Sequence, residues 1–378
     1  EVDGRFVAAI RVAEKVGDNR QILRIAYHQA WTACFVFDDV TELSNLYDKV
    51  EDLGLSSQHA DDVEKVSILW NVLVGAIGLD GFKENNFKLQ KRAIAIKKKL
   101  EELSKDETRP NNSLHSRTIL CFHNLNQLAV NKEDQSSFNP IFDELTVVFD
   151  KSRGLGEYPF ESCKNLIFEL GNFVTDNDSY EKLFNTIVAI QEERNSEGAS
   201  GASLTNRGIQ KLSANKVYDA IKLFGRAQEK LIKEEYKDEL VECLIACARA
   251  YKCSGLPWAA RFNLLAALSI CITEHSKSGF MHRLALLAAK DLSWIEVELG
   301  RVPHTLSSIN LTNYITNNLK LTEEEEEKLY WSFILNIDAI FSILILHANL
   351  NQLDKIQKLP HLLDQLNLTC SEGTVLFA

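Results

Sequence analysis

Two adjacent aspartates and a nearby glutamate have the types and spacing that could bind a metal ion. Asp38, Asp39 and Glu42 lie within about one helical turn of each other. Carboxylate oxygens are ligands that Mg²⁺ prefers, and such a group at a helix end could hold the metal against a diphosphate. A structural interpretation competes with this one, because an aspartate just before a helix accepts hydrogen bonds from its free N–H groups. The pattern therefore predicts either a magnesium site or a helix cap.

The same residues resemble the D-D-x-x-D/E motif of class I terpene synthases, which are all-α enzymes. That family also carries a second motif, Asn-Asp-x-x-Ser-x-x-x-Glu. Asn177 and Asp178 begin like it, but Glu181 stands at the serine position and Asn185 at the glutamate position. The resemblance implies a lyase, and its second half is broken. We therefore favour the helix cap.

The chain has eight cysteines, of which three are closely spaced. Cys243 and Cys247 are one helical turn apart, and Cys253 follows. Zinc sites prefer tighter pairs together with a second Cys or His pair, and none lies nearby in the sequence. We expect these thiols to pack in a core and to hold no metal. Scattered thiols in a chain of this size also predict a cytoplasmic protein.

The common catalytic motifs are missing from the sequence. It contains no G-x-x-x-x-G-K-[ST] phosphate loop, no H-E-x-x-H, no G-x-S-x-G and no G-x-G-x-x-G. The nine histidines are dispersed. Arg24 and His28 resemble the Arg/His pair of helical ribonucleases, but their spacing is one residue short. We predict no catalytic residue, no cofactor and no enzymatic activity.

Two windows near the middle of the chain match at a spacing of forty residues. The matching positions are Gly208, Ala220, Phe224 and Ala227 in the first window and Ala248, Ala260, Leu264 and Ala267 in the second. A small residue on one helix followed by small, large and small residues on the next is what a tightly packed helical hairpin needs. A hairpin repeated at a fixed period buries its apolar face by stacking on its neighbours. The spacing predicts an array of helical hairpins.

The stretch from Ala248 to Ala267, with Tyr251 and Gly255, resembles the tetratricopeptide repeat (TPR) family. The preceding unit has Asn215 in place of the turn glycine and Lys211 in place of an aromatic residue. The resemblance covers about residues 165–315, and its period exceeds the family's usual length of about 34 residues. It implies an all-α fold, an α-solenoid of stacked antiparallel hairpins forming a TPR-like superhelix. It also implies a binding scaffold.

Turn and cap signals divide the chain into about eight hairpins. First helices are predicted to begin near residues 19, 60, 112, 157, 200, 238, 279 and 323, and second helices near residues 39, 84, 138, 178, 216, 257, 303 and 350. The glycine- and serine-rich run from Asn195 to Ser203 predicts a flexible stretch. We expect it to divide irregular hairpins (residues 1–195) from regular TPR-like repeats (residues 196–378).

Charge and hydropathy narrow the range of partners. The formal net charge of −11 disfavours nonspecific binding to nucleic acid. The most apolar run, Ile334 to Leu346, is interrupted by Asn336 and Asp338 and is too short to span a membrane. The basic residues from Lys88 to Lys99, Arg92 among them, lie off the apolar stripe of their helix. They predict a solvated face.

A protein or peptide partner remains the best-supported ligand. In stacked hairpins the first helices line one continuous groove, and polar or aromatic residues one turn from the packing positions face it. These candidates are Asn206, Gln210, Arg249, Lys252 and Trp294. Ordinary surface, or core packing for Trp294, is the competing interpretation.

A rival function is that of a sensing arm. Degenerate, long-period arrays resemble the C-terminal sensor arrays of bacterial signal-transducing ATPases of the STAND type. The sequence begins inside an amphipathic pattern, so we expect it to be a piece of a larger polypeptide.

Overall fold

The structure is a computed structural model that describes residues 2–77, 87–130, 134–194, 197–349 and 358–377. Every secondary-structure element in these ranges is a helix. The all-α prediction is therefore confirmed. Two compact units are present, residues 1–190 and 191–378.

The first unit consists of helices joined by short turns. Its helices are α1 (Val2–Val16), α2 (Asn19–Phe35), α3 (Val40–Ser56), α4 (Ala60–Gly75), α5 (Leu89–Leu103), α6 (Pro110–Val130), α7 (Asn139–Lys151) and α8 (Phe160–Leu170). Helices next to each other in the chain pack together from α1 to α7, and α4 also packs against α6. Helix α9 (Asp178–Arg194) contains the boundary with the second unit.

The second unit is an array of helical hairpins. Its helices are α10 (Glu197–Ser213), α11 (Val217–Leu231), α12 (Lys237–Cys253), α13 (Pro257–Ser278), α14 (Arg283–Glu298), α15 (Val302–Asn318), α16 (Glu323–Leu346), α17 (Leu359–Gln365) and α18 (Thr369–Phe377). The first helices α10, α12 and α14 contact one another in sequence, and each packs against its own second helix. This is the TPR-like arrangement that the sequence predicted.

The predicted helix starts agree with the structure to within a few residues where both are described. The predicted starts near residues 84 and 350 lie outside the described residues. The division of the chain at residue 195 into irregular hairpins and regular TPR-like repeats stays a prediction.

Small residues bring the two helices of each hairpin together. A Cβ atom added to Gly208 would lie 2.5 Å from the ring of Phe224, so only glycine fits at this crossing. In the next hairpin Ala260 and Ala267 are fully buried, and Leu264 lies between them. Large side chains fill the grooves left by small ones, as ridges-into-grooves packing requires.

The same backbone turn ends three successive first helices. Asn215, Gly255 and Gly300 have φ angles of 60°, 76° and 67°, in the left-handed region. In each turn the next residue donates its N–H to the carbonyl five residues earlier, at 2.8–2.9 Å. Glycine adopts this conformation without strain, and asparagine tolerates it better than most residues. Asn215 therefore substitutes for the expected glycine.

Two threonines occupy positions where the repeat pattern has alanine. Thr305 and Thr312 are fully buried on α15. Their hydroxyls donate to the carbonyls of Arg301 and Ser308, at 3.3 and 2.9 Å. The buried polar groups are thus satisfied within the helix, which permits the substitution.

The prediction of a flexible stretch from Asn195 to Ser203 is wrong from Glu197 onward, where α10 begins; Asn195 and Ser196 lie outside the described residues. Gly198 and Gly201 face close neighbours: an added Cβ would lie 2.0 Å from the Tyr236 ring and 2.8 Å from Leu231. The small residues permit close packing here and do not form a linker. Tertiary contact outweighs the low helix propensity of glycine and serine.

The prediction that the apolar segment ending at Leu346 is too short to span a membrane is wrong, because α16 extends it toward Glu323. By length and composition this helix could cross a membrane, since an 18-residue window reaches a mean hydropathy of 1.9. One face is buried in the unit, including Ile334, Ile337 and Phe341. Asp338, in the same helix, is also buried and accepts hydrogen bonds from the backbone N–H groups of Cys370 and Ser371, at 2.8 and 2.9 Å. It thereby holds the first turn of α18, so this face of α16 is a protein contact.

His123 is a fully buried ionisable group in the first unit. Its ring centroid lies 4.6 Å from that of Trp70, and its Nε2 atom lies 3.1 Å from the Gln127 amide. Burial lowers the pKa of His123 to about 4, because the charged form cannot be hydrated there. The side chain is therefore neutral near pH 7.

Replacing Ala260 by leucine should destabilise the hairpin. The larger side chain would overpack a fully buried contact, at a cost of about 1–3 kcal/mol. Ala266→Leu, at an exposed position of the same helix, is the matched control and should melt near the wild-type temperature. Equal melting of both variants would show that the repeat alignment is wrong.

The buried His123 should make stability fall in acid. Its folded pKa of about 4 lies below the ordinary value, so the unfolded chain binds the extra proton as pH falls below about 6.5. This contribution is complete above that pH and should decrease by about 2 kcal/mol between pH 7.5 and pH 5. Urea unfolding at both pH values would measure it. The His123→Gln variant should lose this part of the pH dependence, and an unchanged slope would contradict the assignment.

Candidate functional site

The three neighbouring first helices α10, α12 and α14 carry side chains at one-turn spacing along a shared surface. On α12 these are Glu242, Ile245, Arg249 and Lys252, and residues three and four apart in a helix lie on one face. Two cavities open along this surface. They bring several of the predicted site residues together.

The first cavity is mostly apolar and has a volume of about 270 Å³. It is lined by Ile209, Leu212, Ser213, Glu242, Ile245, Ala246, Arg249, Leu284 and Leu287. All three first helices contribute to it, and aliphatic side chains form most of its wall. Such a cavity suits an apolar group.

The second cavity has a volume of about 220 Å³. It is lined by Ala248, Arg249, Lys252, Leu264, Asp291, Trp294 and Ile295. Arg249 lines both cavities, so the two adjoin. We refer to the residues of the two cavities together as the inner groove.

Ion pairs cross the inner groove from α12 to α14. Arg249 Nε lies 2.9 Å from Asp291 Oδ2, and Lys252 Nζ lies 2.7 Å from Glu298 Oε1. Arg249 and Lys252 therefore contact the neighbouring hairpin as well as lining the groove. Their charges are neutralised by carboxylates of the next hairpin.

Trp294 forms a half-buried wall of the second cavity. Its ring meets Phe333 of α16 edge to face, with ring centroids 6.1 Å apart and an interplanar angle of 88°. This contact fixes the orientation of the indole. Trp294 packs against the core cluster of α16 and also lines the cavity, so the core interpretation is confirmed in part and its role in ligand binding stays a prediction.

The other two predicted residues do not line either cavity. Asn206 is exposed on α10, and Gln210 is half-buried and accepts a hydrogen bond from Arg207 at 3.0 Å. Ile209 and Ser213, on the same helix, line the first cavity instead. Sequence reasoning missed Glu242, although it lies seven residues before Arg249 and therefore two turns away on one face.

The acidic motif at the start of α3 acts as a cap. Asp39 Oδ1 accepts a hydrogen bond from the backbone N–H of Glu42 at 2.8 Å, and Asp38 has a left-handed φ of 55°. In the described part of the chain, no group of three or more His, Cys, Asp or Glu side chains is arranged to hold a metal ion. The helix-cap interpretation is the one that the geometry supports.

Two of the three closely spaced cysteines are packed in the core. Cys243 and Cys247 are buried, and the Cys243 thiol donates to the carbonyl of Phe224 at 3.6 Å. Burial raises the pKa of Cys243 to about 11 and that of Cys247 to about 12, so both thiols are protonated at neutral pH. Cys253 is exposed, so the expectation of core packing is wrong for this thiol. The two buried thiols behave as small apolar groups.

The basic helix α5 differs from its predicted solvated face at two residues, Arg92 and Lys99, and the Lys99 side chain is only 11% exposed. Arg92 is buried, with its guanidinium 4.1 Å from the Tyr47 ring centroid and in ion pairs with Asp48 and Glu51. Lys97 and Lys98 are exposed as expected. An arginine can be buried in this way because its planar guanidinium stacks on a ring and pairs with carboxylates together.

No family model and no curated protein matches the chain. Solved structures similar to it are repeat proteins. A crystal structure described as a Podosopora anserina kinesin light chain with nearly identical TPR-like repeats has 13% identity and a TM-score of 0.31, over 68% of this chain and 98% of that chain. A circular tandem repeat protein with a novel repeat topology has 13% identity and a TM-score of 0.40, over 99% of this chain and 93% of that chain. We draw no functional argument from either.

Removing the Asp39 cap should lower stability without any effect of magnesium. Asp39→Ala should cost about 0.5–2 kcal/mol, whereas Asp39→Asn should cost little because asparagine caps equally well. Thermal melting with and without Mg²⁺ would test this. Magnesium-dependent turnover of a prenyl diphosphate that either substitution abolished would restore the terpene-synthase interpretation.

Proposed function

We propose that the chain is a non-enzymatic scaffold that binds a segment of a protein or a peptide in the inner groove. The observation that carries the proposal is the pair of adjoining cavities, built from three successive first helices and sharing Arg249. An extended or helical segment can place successive side chains in successive cavities of this kind.

The shape of the inner groove supports a peptide. Its space is divided into two adjoining cavities of about 270 and 220 Å³, which can receive successive side chains of a peptide. The polar edges formed by Arg249 and Asp291 suit a polar main chain beside them. Trp294 offers the rigid aromatic surface that is common at the centre of protein interfaces.

A cytoplasmic location is part of the same proposal. All eight cysteines are free in the structure, which suits a reducing compartment. The groove would act in the same way alone or as the sensing arm of a larger signalling protein. Both roles need the same contact with a protein partner.

Changing the charges of the inner groove should weaken binding without unfolding the protein. Arg249 pairs with Asp291, so the variant reverses both charges, as Arg249→Glu with Asp291→Arg. We call this the Arg249/Asp291 exchange, and it keeps an ion pair at this place. Exposed pairs contribute about 0–1 kcal/mol to folding, so the melting temperature should hardly change. We expect at least about tenfold weaker binding of a peptide selected on the wild-type chain, measured by fluorescence anisotropy.

The matched control is Lys222→Glu, because Lys222 is exposed on α11 and lies outside both cavities. Binding by this variant should equal that of the wild type. If the groove variant binds normally while Lys97→Glu with Lys98→Glu does not, the working surface is α5. The groove proposal would then be wrong.

A further inference from the structure

The charges along the inner groove do not balance. Among its described residues, both cations are held by acids of α14: Arg249 by Asp291 and Lys252 by Glu298. Glu242 is exposed, and the described part of the chain gives it no ion pair or hydrogen bond. With Glu298 included, the groove has two cations and three carboxylates, so Glu242 is the surplus charge.

The surroundings of Glu242 are apolar. It lies at the edge of the first cavity, whose walls include Ile245, Leu284 and Leu287. When a peptide side chain fills this cavity and displaces water from its edge, the local dielectric falls, and the Glu242 carboxylate attracts a cation more strongly than it would in open water. An acidic partner would meet repulsion there, since Arg249 is already neutralised by Asp291.

We infer that the occupant of the inner groove is an apolar peptide segment with an adjacent lysine or arginine that pairs with Glu242. This inference rests on the proposed function and adds the chemistry of the partner. An aliphatic side chain enters the first cavity, and the neighbouring basic side chain reaches the carboxylate at its edge. The net charge of −11 on the chain favours the approach of such a segment.

The test begins with the full chain and a random dodecapeptide library displayed on phage. Peptides that bind the groove are those whose binding is weakened by the Arg249/Asp291 exchange. We expect these peptides to be enriched in lysine or arginine next to an aliphatic residue. Their binding should weaken as salt is added, because the added contact is an ion pair.

Two variants then examine Glu242 directly. Glu242→Gln should weaken the binding of a basic peptide by about three- to tenfold and reduce the salt dependence of that binding. The melting temperature of the variant should equal that of the wild type. Glu242→Lys should reject that peptide and prefer a version with glutamate in place of the basic residue. Glu229→Gln is the control, because Glu229 is exposed on α11 and lines neither cavity.

The outcomes separate the two proposals. If no selected peptide responds to the Arg249/Asp291 exchange, the groove is not the binding surface and the proposed function fails. If peptides respond to that exchange but are acidic or neutral, or bind Glu242→Gln as well as the wild type, the function stands and the inference about Glu242 is overturned.

Discussion

The close approach of paired helices is the constraint on which the second unit depends. Phe224 packs where Gly208 has no side chain, and in the next hairpin the corresponding residues, Ala248 and Leu264, are buried in one core cluster. Where second helices pack so tightly, the first helices are brought side by side, and their outer faces form a common surface. The inner groove exists because α10, α12 and α14 are held at this spacing. The side chains of the groove can act together only because this packing places them side by side.

Much of this architecture could be predicted from the sequence, because helical packing leaves a period in the residue types. The forty-residue register located the hairpins, and the left-handed turns fell where glycine or asparagine stands. The run after Asn195 was misread for an equally physical reason. Glycine and serine indicate a linker when considered alone, and only the distant Tyr236 and Leu231 explain why Gly198 and Gly201 must be small.

The candidate site was predictable only in part. Arg249, Lys252 and Trp294 were named from their position one turn from the packing residues, and the structure brings these three to one cavity. The ion pairs were not foreseen, because pairing depends on how α12 and α14 are aligned, and Arg249 and Asp291 are 42 positions apart in the sequence. Local spacing predicts a face of a helix. The register between two helices decides which charges on that face remain unpaired.

The recurring turn at Asn215, Gly255 and Gly300 also bears on how such a chain can change length. Each interval between turns carries one second helix and the following first helix, and both of its ends have the same backbone geometry. An in-frame duplication or loss of that interval would join two turns of a kind already present. Recombination at these turns is therefore a route by which this array could gain or lose a hairpin.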